Sequence, residues 1–242
     1  MCERNYQMDL SRSWEAFWRV FYTNEGYKRV LSEGLKNTLA VAVLGLLIGI
    51  VIGTLIAAVK VMPKYKLLPR ITDGICTVYV GFFRGTPIVV QLLLAYYVIF
   101  PLMGVRIGSI NTCILVFGLN SGAYVSEIMR AGIQSVDPGQ MEAGRALGLS
   151  FSATMMKIIV PQAIKNILPT LGNEFIALIK DTSVVSFVAA VDLYKVFTEL
   201  GTKNYEYLMP YSMMALIYII LVLMITFIFK LIEKWLHKSD RT

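Results

Sequence analysis

From Leu39 to Val59 the chain contains only apolar residues, glycines and Thr54. That run matches the roughly 20 residues an α-helix needs to cross a bilayer core of about 30 Å, where every backbone N–H and C=O must find a partner inside the protein. It constrains the fold more than any other feature. Hydrophobic residues make up 56% of the 242 and charged residues 16%, against roughly 45–50% and 25% in soluble domains. The chain is read as an all-α integral membrane protein.

Several function classes are excluded early. The net charge of +7 is spent in loops flanking apolar segments, where basic residues set topology, so no basic surface remains for nucleic acid. Cys2, Cys76 and Cys113 are scattered and His237 is the lone histidine. Neither a metal site nor a Ser–His or Cys–His pair is indicated. No catalytic residue is expected. The polar first ten residues show no cleavable signal.

Five spans are predicted, at about Leu39–Val61, Pro87–Met103, Thr112–Met129, Ile158–Ile179 and Leu208–Phe229. Gly45, Gly49 and Gly53 recur every fourth residue of the first, a stripe suited to close helix approach. Ahead of it, Trp14, Phe17, Trp18, Phe21 and Tyr22 share one helix face, expected either in the headgroup layer or against the other spans. A break comes next at Asn24–Gly26. Residues Ile71–Arg84 read as an interfacial segment, with Pro87 opening the second span from its first turn. Pro161 and Pro169 interrupt the fourth span, Lys180–Ser183 breaks it, and Val184–Val191 is too short to cross. Asp192–Tyr207 reads as a polar loop.

Basic residues concentrate in Lys60–Arg84, around residues 130–165 and in the tail, so these segments are expected to be cytoplasmic. An odd number of spans then places the N-terminus outside. The N-terminal segment, with six Lys or Arg, runs against that rule. The expected organisation is an interfacial segment over 1–36, a transmembrane domain over 37–231 and a basic cytoplasmic tail over 232–242.

A free-standing helix is specified between two spans. Asp137 is a good N-cap, Pro138 suits the first helical position, Gln140 sits where a capping-box partner belongs, and Gly148 suits the stop. The helix Pro138–Leu147 carries Glu142 and Arg145 one turn apart, able to pair, and Ala143 and Gly144 leave a low surface for a partner's groove. Packing against the chain's own bundle is the alternative use. Ser150 or Ser152 can cap the next helix. Polar groups at bilayer depth are the other clue, because such groups usually face a cavity or a partner. Glu127, Glu174, Lys180 and Asp181 are the charged candidates for a substrate pathway, with Asn120, Ser121, Tyr124 and Asn173 as neutral ones. Bracing of helix contacts, or a place at the outer interface for Lys180 and Asp181, would explain them equally.

The segment QMEAGRALGLS, the order SGAYVSEIMRAGIQSVDPGQMEAGRALGLS then IVPQAIKNILPTLGNEFIALIKDTSVVS, and FFRGTPIVVQLLL and EGLKNTLAVAVLGLLIGIVIG together resemble the permease subunits of ATP-binding-cassette importers, in their polar-amino-acid branch. Glu142, Ala143 and Gly148 match the EAA loop motif, at about 135–150; Gly144 stands where the motif's second alanine usually does. Arg84–Pro87 match the RGTP motif, and Asn173–Glu174 and Lys180–Ser183 match NEF and KDTS. The sequence after KDTS departs from the family pattern.

The resemblance implies a subunit of a bacterial inner membrane without catalysis of its own. A second permease copy or a sister subunit would complete the pathway. Two ATPase subunits, which bind ATP and magnesium, would couple through Glu142, Ala143, Gly144, Arg145 and Gly148, and an extracellular or periplasmic binding protein would deliver an amino acid. The rival reading is an ion-gradient-driven secondary transporter, which predicts internal repeats that the sequence does not display.

Overall fold

The computed structural model describes residues 10–23, 25–63, 65 and 67–238. All regular structure among them is helical. Nine α-helical stretches run in order: α1 (Leu10–Thr23), α2 (Gly26–Val61), α3 (Leu67–Gly85), α4 (Ile88–Leu102), α5 (Ser109–Gln134), α6 (Pro138–Ala146), α7 (residues 151–181), α8 (Leu193–Asn204) and α9 (Leu208–Lys238). A 3₁₀ helix, Thr182–Val188, follows α7 where the break was expected.

Three of these, α2, α5 and α9, are long and apolar enough to cross a bilayer, and α3 with α4 makes a fourth if the pair, bent by 105°, counts as one span. The five-span expectation therefore meets three or four such helices among the described residues. Helix α7, expected as a full span, carries Lys157, Lys165, Glu174, Lys180 and Asp181.

The glycine stripe works as expected. A Cβ at Gly49 would stand 2.7 Å from Ser121 Oγ, and one at Gly53 would stand 2.8 Å from the Ser126 backbone nitrogen. The contact is reciprocal, since a Cβ added at Gly118 or Gly122 of α5 would stand 2.6 or 2.8 Å from Ile48 or Ile52 of α2. Each glycine leaves room for a side chain of the facing helix, so α2 and α5 approach closely, the arrangement small residues permit inside membranes. Around this pair lies the main core, in which Val41, Leu92, Phe117, Val125, Leu178 and Ile179 are buried.

Pro101, Pro161 and Pro169 are absorbed within helices, whereas Pro87 stands at the break between α3 and α4. Two π-turns, Ala95–Ile99 and Met155–Ile159, lie just before Pro101 and Pro161. The wider turn accommodates the missing N–H. Pro169 lies inside α7 without ending it. Pro87 is the N-cap of α4 (φ −63°, ψ 137°) rather than its first helical residue.

At the N-terminus, Glu25 takes a left-handed conformation (φ 52°) and separates α1 from α2; Asn24 lies outside the described residues. Phe17 and Val20 of α1 pack on Leu193, Val196, Phe197 and Leu200, while Trp14 and Tyr22 remain exposed. The aromatic face thus packs against the protein on one side and is open on the other. The segment expected as a polar loop, Asp192–Tyr207, holds α8 instead. Asp192 caps it, accepting from the Tyr194 and Lys195 backbone N–H groups at 3.2 and 2.9 Å.

Candidate functional site

Two places hold the sequence-predicted residues. The first is α6, whose ends are fixed by local chemistry. Asp137 accepts from the Gly139 N–H at 2.8 Å. At the other end Gly148 (φ 81°) donates to Arg145 O, and Leu149 donates to Gly144 O at 3.1 Å. That pair of bonds is the Schellman stop, which glycine adopts without strain. Ser150 caps the next turn through the Ala153 N–H at 3.2 Å.

Three expectations about α6 need correction. Gln140 does not close a capping box; its Oε1 accepts from Gln162 of α7 at 3.4 Å. Arg145 does not pair with Glu142, because its guanidinium donates to Leu149 O at 2.8 Å. Gly144 is not an outward surface. It is buried, and a Cβ there would meet Thr154 Cγ2 at 2.5 Å. Glycine at 144 is what lets α6 lie against α7. Glu142, Ala143 and Leu147 point outward, Leu147 with 81% exposure.

The second place is a cleft of about 480 Å³ lined by Arg84, Thr86, Asn120, Tyr124, Glu174 and Asp181, among others. It brings together residues from α3, α5 and α7. Arg84 lies over the Tyr124 ring, 5.4 Å from its centroid, and 4.0 Å from Glu127 Oε2. Glu127 is held chiefly by Arg130, at 2.6 Å. Ser121 donates to Glu174 Oε1 at 3.1 Å, tying α5 to α7 behind the cleft. Asn173 and Lys180 are exposed and do not line it.

Asn120, Tyr124, Glu174 and Asp181 thus come together, Ser121 and Glu127 support them, and Asn173 and Lys180 stand apart. Arg84 is not among the site residues expected from the sequence, although the RGTP motif contains it. It is the cleft's one cationic lining residue among the described residues. Gln91, whose polarity stands out inside an apolar helix, is buried and does not line the cleft.

Residues 45–238 match the model of the binding-protein-dependent transport system inner membrane component family, and the chain belongs to that family. The arginine transport system permease protein ArtQ of Bacillus subtilis is 38% identical over 208 residues, covering 86% of this chain and 93% of ArtQ. The glutamine transport system permease protein GlnP of Escherichia coli is 34% identical, covering 91% and 96%. The L-cystine transport system permease protein TcyB of Bacillus subtilis is 36% identical, covering 86% and 87%. A chain of an amino acid ABC transporter solved with histidines superposes with a TM-score of 0.79 at 37% identity, covering 88% and 97%. The methionine transporter MetNI, at 21% identity and a TM-score of 0.72, shares the fold. The chain is therefore an ABC-transporter permease of the amino-acid importers, as its motif order indicated.

Proposed function

We propose that this chain forms one half of a gated pathway for a polar amino acid, driven by a partner ATPase through α6. A second copy or a sister permease completes the pathway. In this reading α2, α4, α5, α7 and α9 are the five spans, α6 and the C-terminus are cytoplasmic, and the N-terminus is outside. The distribution of Lys and Arg supports the cytoplasmic placement of α6 and the C-terminus, while the six in the N-terminal segment run against an outside N-terminus. ATP and Mg²⁺ are held by two ATPase subunits, and an extracellular binding protein supplies the substrate.

The observation that carries the reading is α6 itself. It is capped at both ends by its own residues, seated on α7 through Gly144, and turns Glu142, Ala143 and Leu147 outward. A rigid, self-contained helix with an exposed leucine suits docking into a groove on another protein.

In the cleft, Arg84 is positioned to take a substrate carboxylate, and Glu174 or Asp181 its ammonium group. The relatives' substrates, arginine, glutamine and L-cystine, share that zwitterionic core. Glu142→Lys or Gly148→Leu should abolish uptake while the subunit still inserts and keeps its partner permease. Normal uptake at normal expression in both variants would sink the coupling role. Against a gradient-driven transporter, uptake should survive dissipation of ion gradients at constant ATP.

A further inference from the structure

We propose that Gln91 and Asn120 are positioning residues that form the pivot of the bent pair α3–α4 and so set where Arg84 stands in the cleft. Pro87 creates the need for them. In an unbroken helix the Phe83 carbonyl would accept the N–H of residue 87, and proline has none. Such a carbonyl is costly to leave unpaired where water is excluded.

Here two side-chain amides replace the missing donor. Phe83 O accepts from Gln91 Nε2 at 2.9 Å and from Asn120 Nδ2 at 3.2 Å. Asn120 Nδ2 also donates to Gln91 Oε1 at 3.0 Å, which locks the amides together. Gln91 Nε2 reaches Thr86 O at 3.0 Å and Thr86 Oγ1 at 2.8 Å, and Thr86 Oγ1 donates to Phe82 O at 2.8 Å. Gln91 is 5% exposed and Asn120 7%, so water competes little for these bonds.

The network joins three elements at one point: the last turn of α3, the first turn of α4 and the middle of α5. The angle between α3 and α4 changes only if these bonds are remade. Gln91 Nε2 has two N–H groups and three oxygens in reach, so it can cede Phe83 O to Asn120 while keeping Thr86. That exchange makes the bend adjustable without stranding a carbonyl. Arg84 comes directly after Phe83 in the chain, and Gly85, Thr86 and Pro87 line the cleft, so the pivot angle sets the position of the cleft rim. This assigns Asn120 to the bend in addition to the cleft wall.

The test uses the assembled complex in nanodiscs, with spin labels at Val78 and Leu102, which are exposed on α3 and α4. Cys2, Cys76 and Cys113 are replaced by alanine in this background. Gln91→Met keeps the side-chain length and removes the amide. It should add a second, longer label-to-label distance and lower substrate-stimulated ATPase at least tenfold, with basal ATPase within twofold of the parent. Gln91→Met with Pro87→Ala restores a backbone donor at residue 87 and should shift the population toward the longer, straighter distance. If Gln91→Met does not assemble, Asn120→Ser supplies the distance measurement, with broadening expected. An unchanged distance distribution in the variants that assemble overturns the proposal. The stimulation readout rests on the cleft being the substrate route, whereas the distance does not. A shifted distance with normal stimulation would therefore uphold the pivot and refute its link to the cleft.

Discussion

Gly144→Ala sets two known effects against each other at one atom. Alanine is favoured over glycine in a helix by roughly 0.5–1 kcal/mol, so propensity alone predicts a firmer α6. The added Cβ, however, would stand 2.5 Å from Thr154 Cγ2, 3.0 Å from Thr154 Oγ1 and 3.3 Å from Ile158 Cδ1. Thr154 is fully buried and its Oγ1 donates to Ser150 O at 3.0 Å. Rotating this β-branched side chain away gives up that bond, about 1 kcal/mol net. Overpacking a fitted site costs roughly 1–3 kcal/mol. The clash wins by about 1 kcal/mol, which loosens α6 from α7. Hydrogen exchange at Leu147, Gly148 and Leu149, whose N–H groups close the helix, should quicken about fivefold. Thr154→Ser removes the obstructing methyl, so the double variant should exchange more slowly than the two single effects predict. Slower exchange in Gly144→Ala, with additivity in the double variant, would show that the loop gives way and that propensity decides.

At Gly53 the obstacle is backbone rather than side chain. Gly53→Ala forces a Cβ to within 2.8 Å of the Ser126 backbone nitrogen, which cannot swing aside, and should cost about 2 kcal/mol; Gly74→Ala, which meets nothing within 4 Å, serves as the control in thermal melts in detergent. Asp192 is fully buried, and burial pushes its carboxyl from 3.8 up to about 6 against the pull of its N–H donors and Lys195. The folded chain therefore holds this proton more tightly than the unfolded one, so the stabilising contribution is complete below about pH 4 and lost as pH rises through about 6. Asp192→Asn removes the charge but keeps only one of the two accepting oxygens, and should stabilise by up to about 3 kcal/mol at pH 8 and not at pH 4. A gain in melting temperature that is independent of pH would contradict it. With Glu174 on the shared ammonium group, Asp181 is left for the substrate's side chain, so Asp181→Asn should weaken direct binding of radiolabelled arginine to the complex more than binding of glutamine; an equal loss would place Asp181 on the ammonium instead.

The features legible in the sequence are those that short-range rules govern. The Leu39–Val59 run, the glycine stripe, and the Asp137 cap and Gly148 stop of α6 depend on residues a few positions apart, and each appears where the spacing indicated, whereas the Gln140 capping box does not. Helix α8 was hidden although its signal was present. Leu193, Val196, Phe197 and Leu200 lie on one helix face behind a capping Asp192, yet Lys195, Glu199 and Lys203 made the stretch read as polar. The rest was out of reach for a different reason. Which side of α6 Gly144 occupies depends on Thr154. The partner of Arg145 is the Leu149 carbonyl, not a charge. Arg84 joins Tyr124 and Glu174 only once α3 bends away from α4, and no periodicity encodes a 105° turn between elements.

The close contact between α2 and α5 has a mechanical consequence. Ile48 and Ile52 of α2 seat over Gly118 and Gly122, and Ser121 and Val125 of α5 over Gly49 and Gly53, so side chains keyed into the facing helix resist shear and the pair moves as a stiff beam. At 1.5 Å per residue, the 26 residues of α5 make that beam about 39 Å long. It ends three residues before α6, with Ser135 Oγ donating to Gly132 O and accepting from Asn166 of α7 to brace the corner. A tilt of about 5° about that corner carries Asn120, 14 residues away, sideways by about 2 Å and the far end by about 3 Å. The glycines therefore act as stiffeners: each missing methyl removes a place where such a tilt would be absorbed before reaching the cleft.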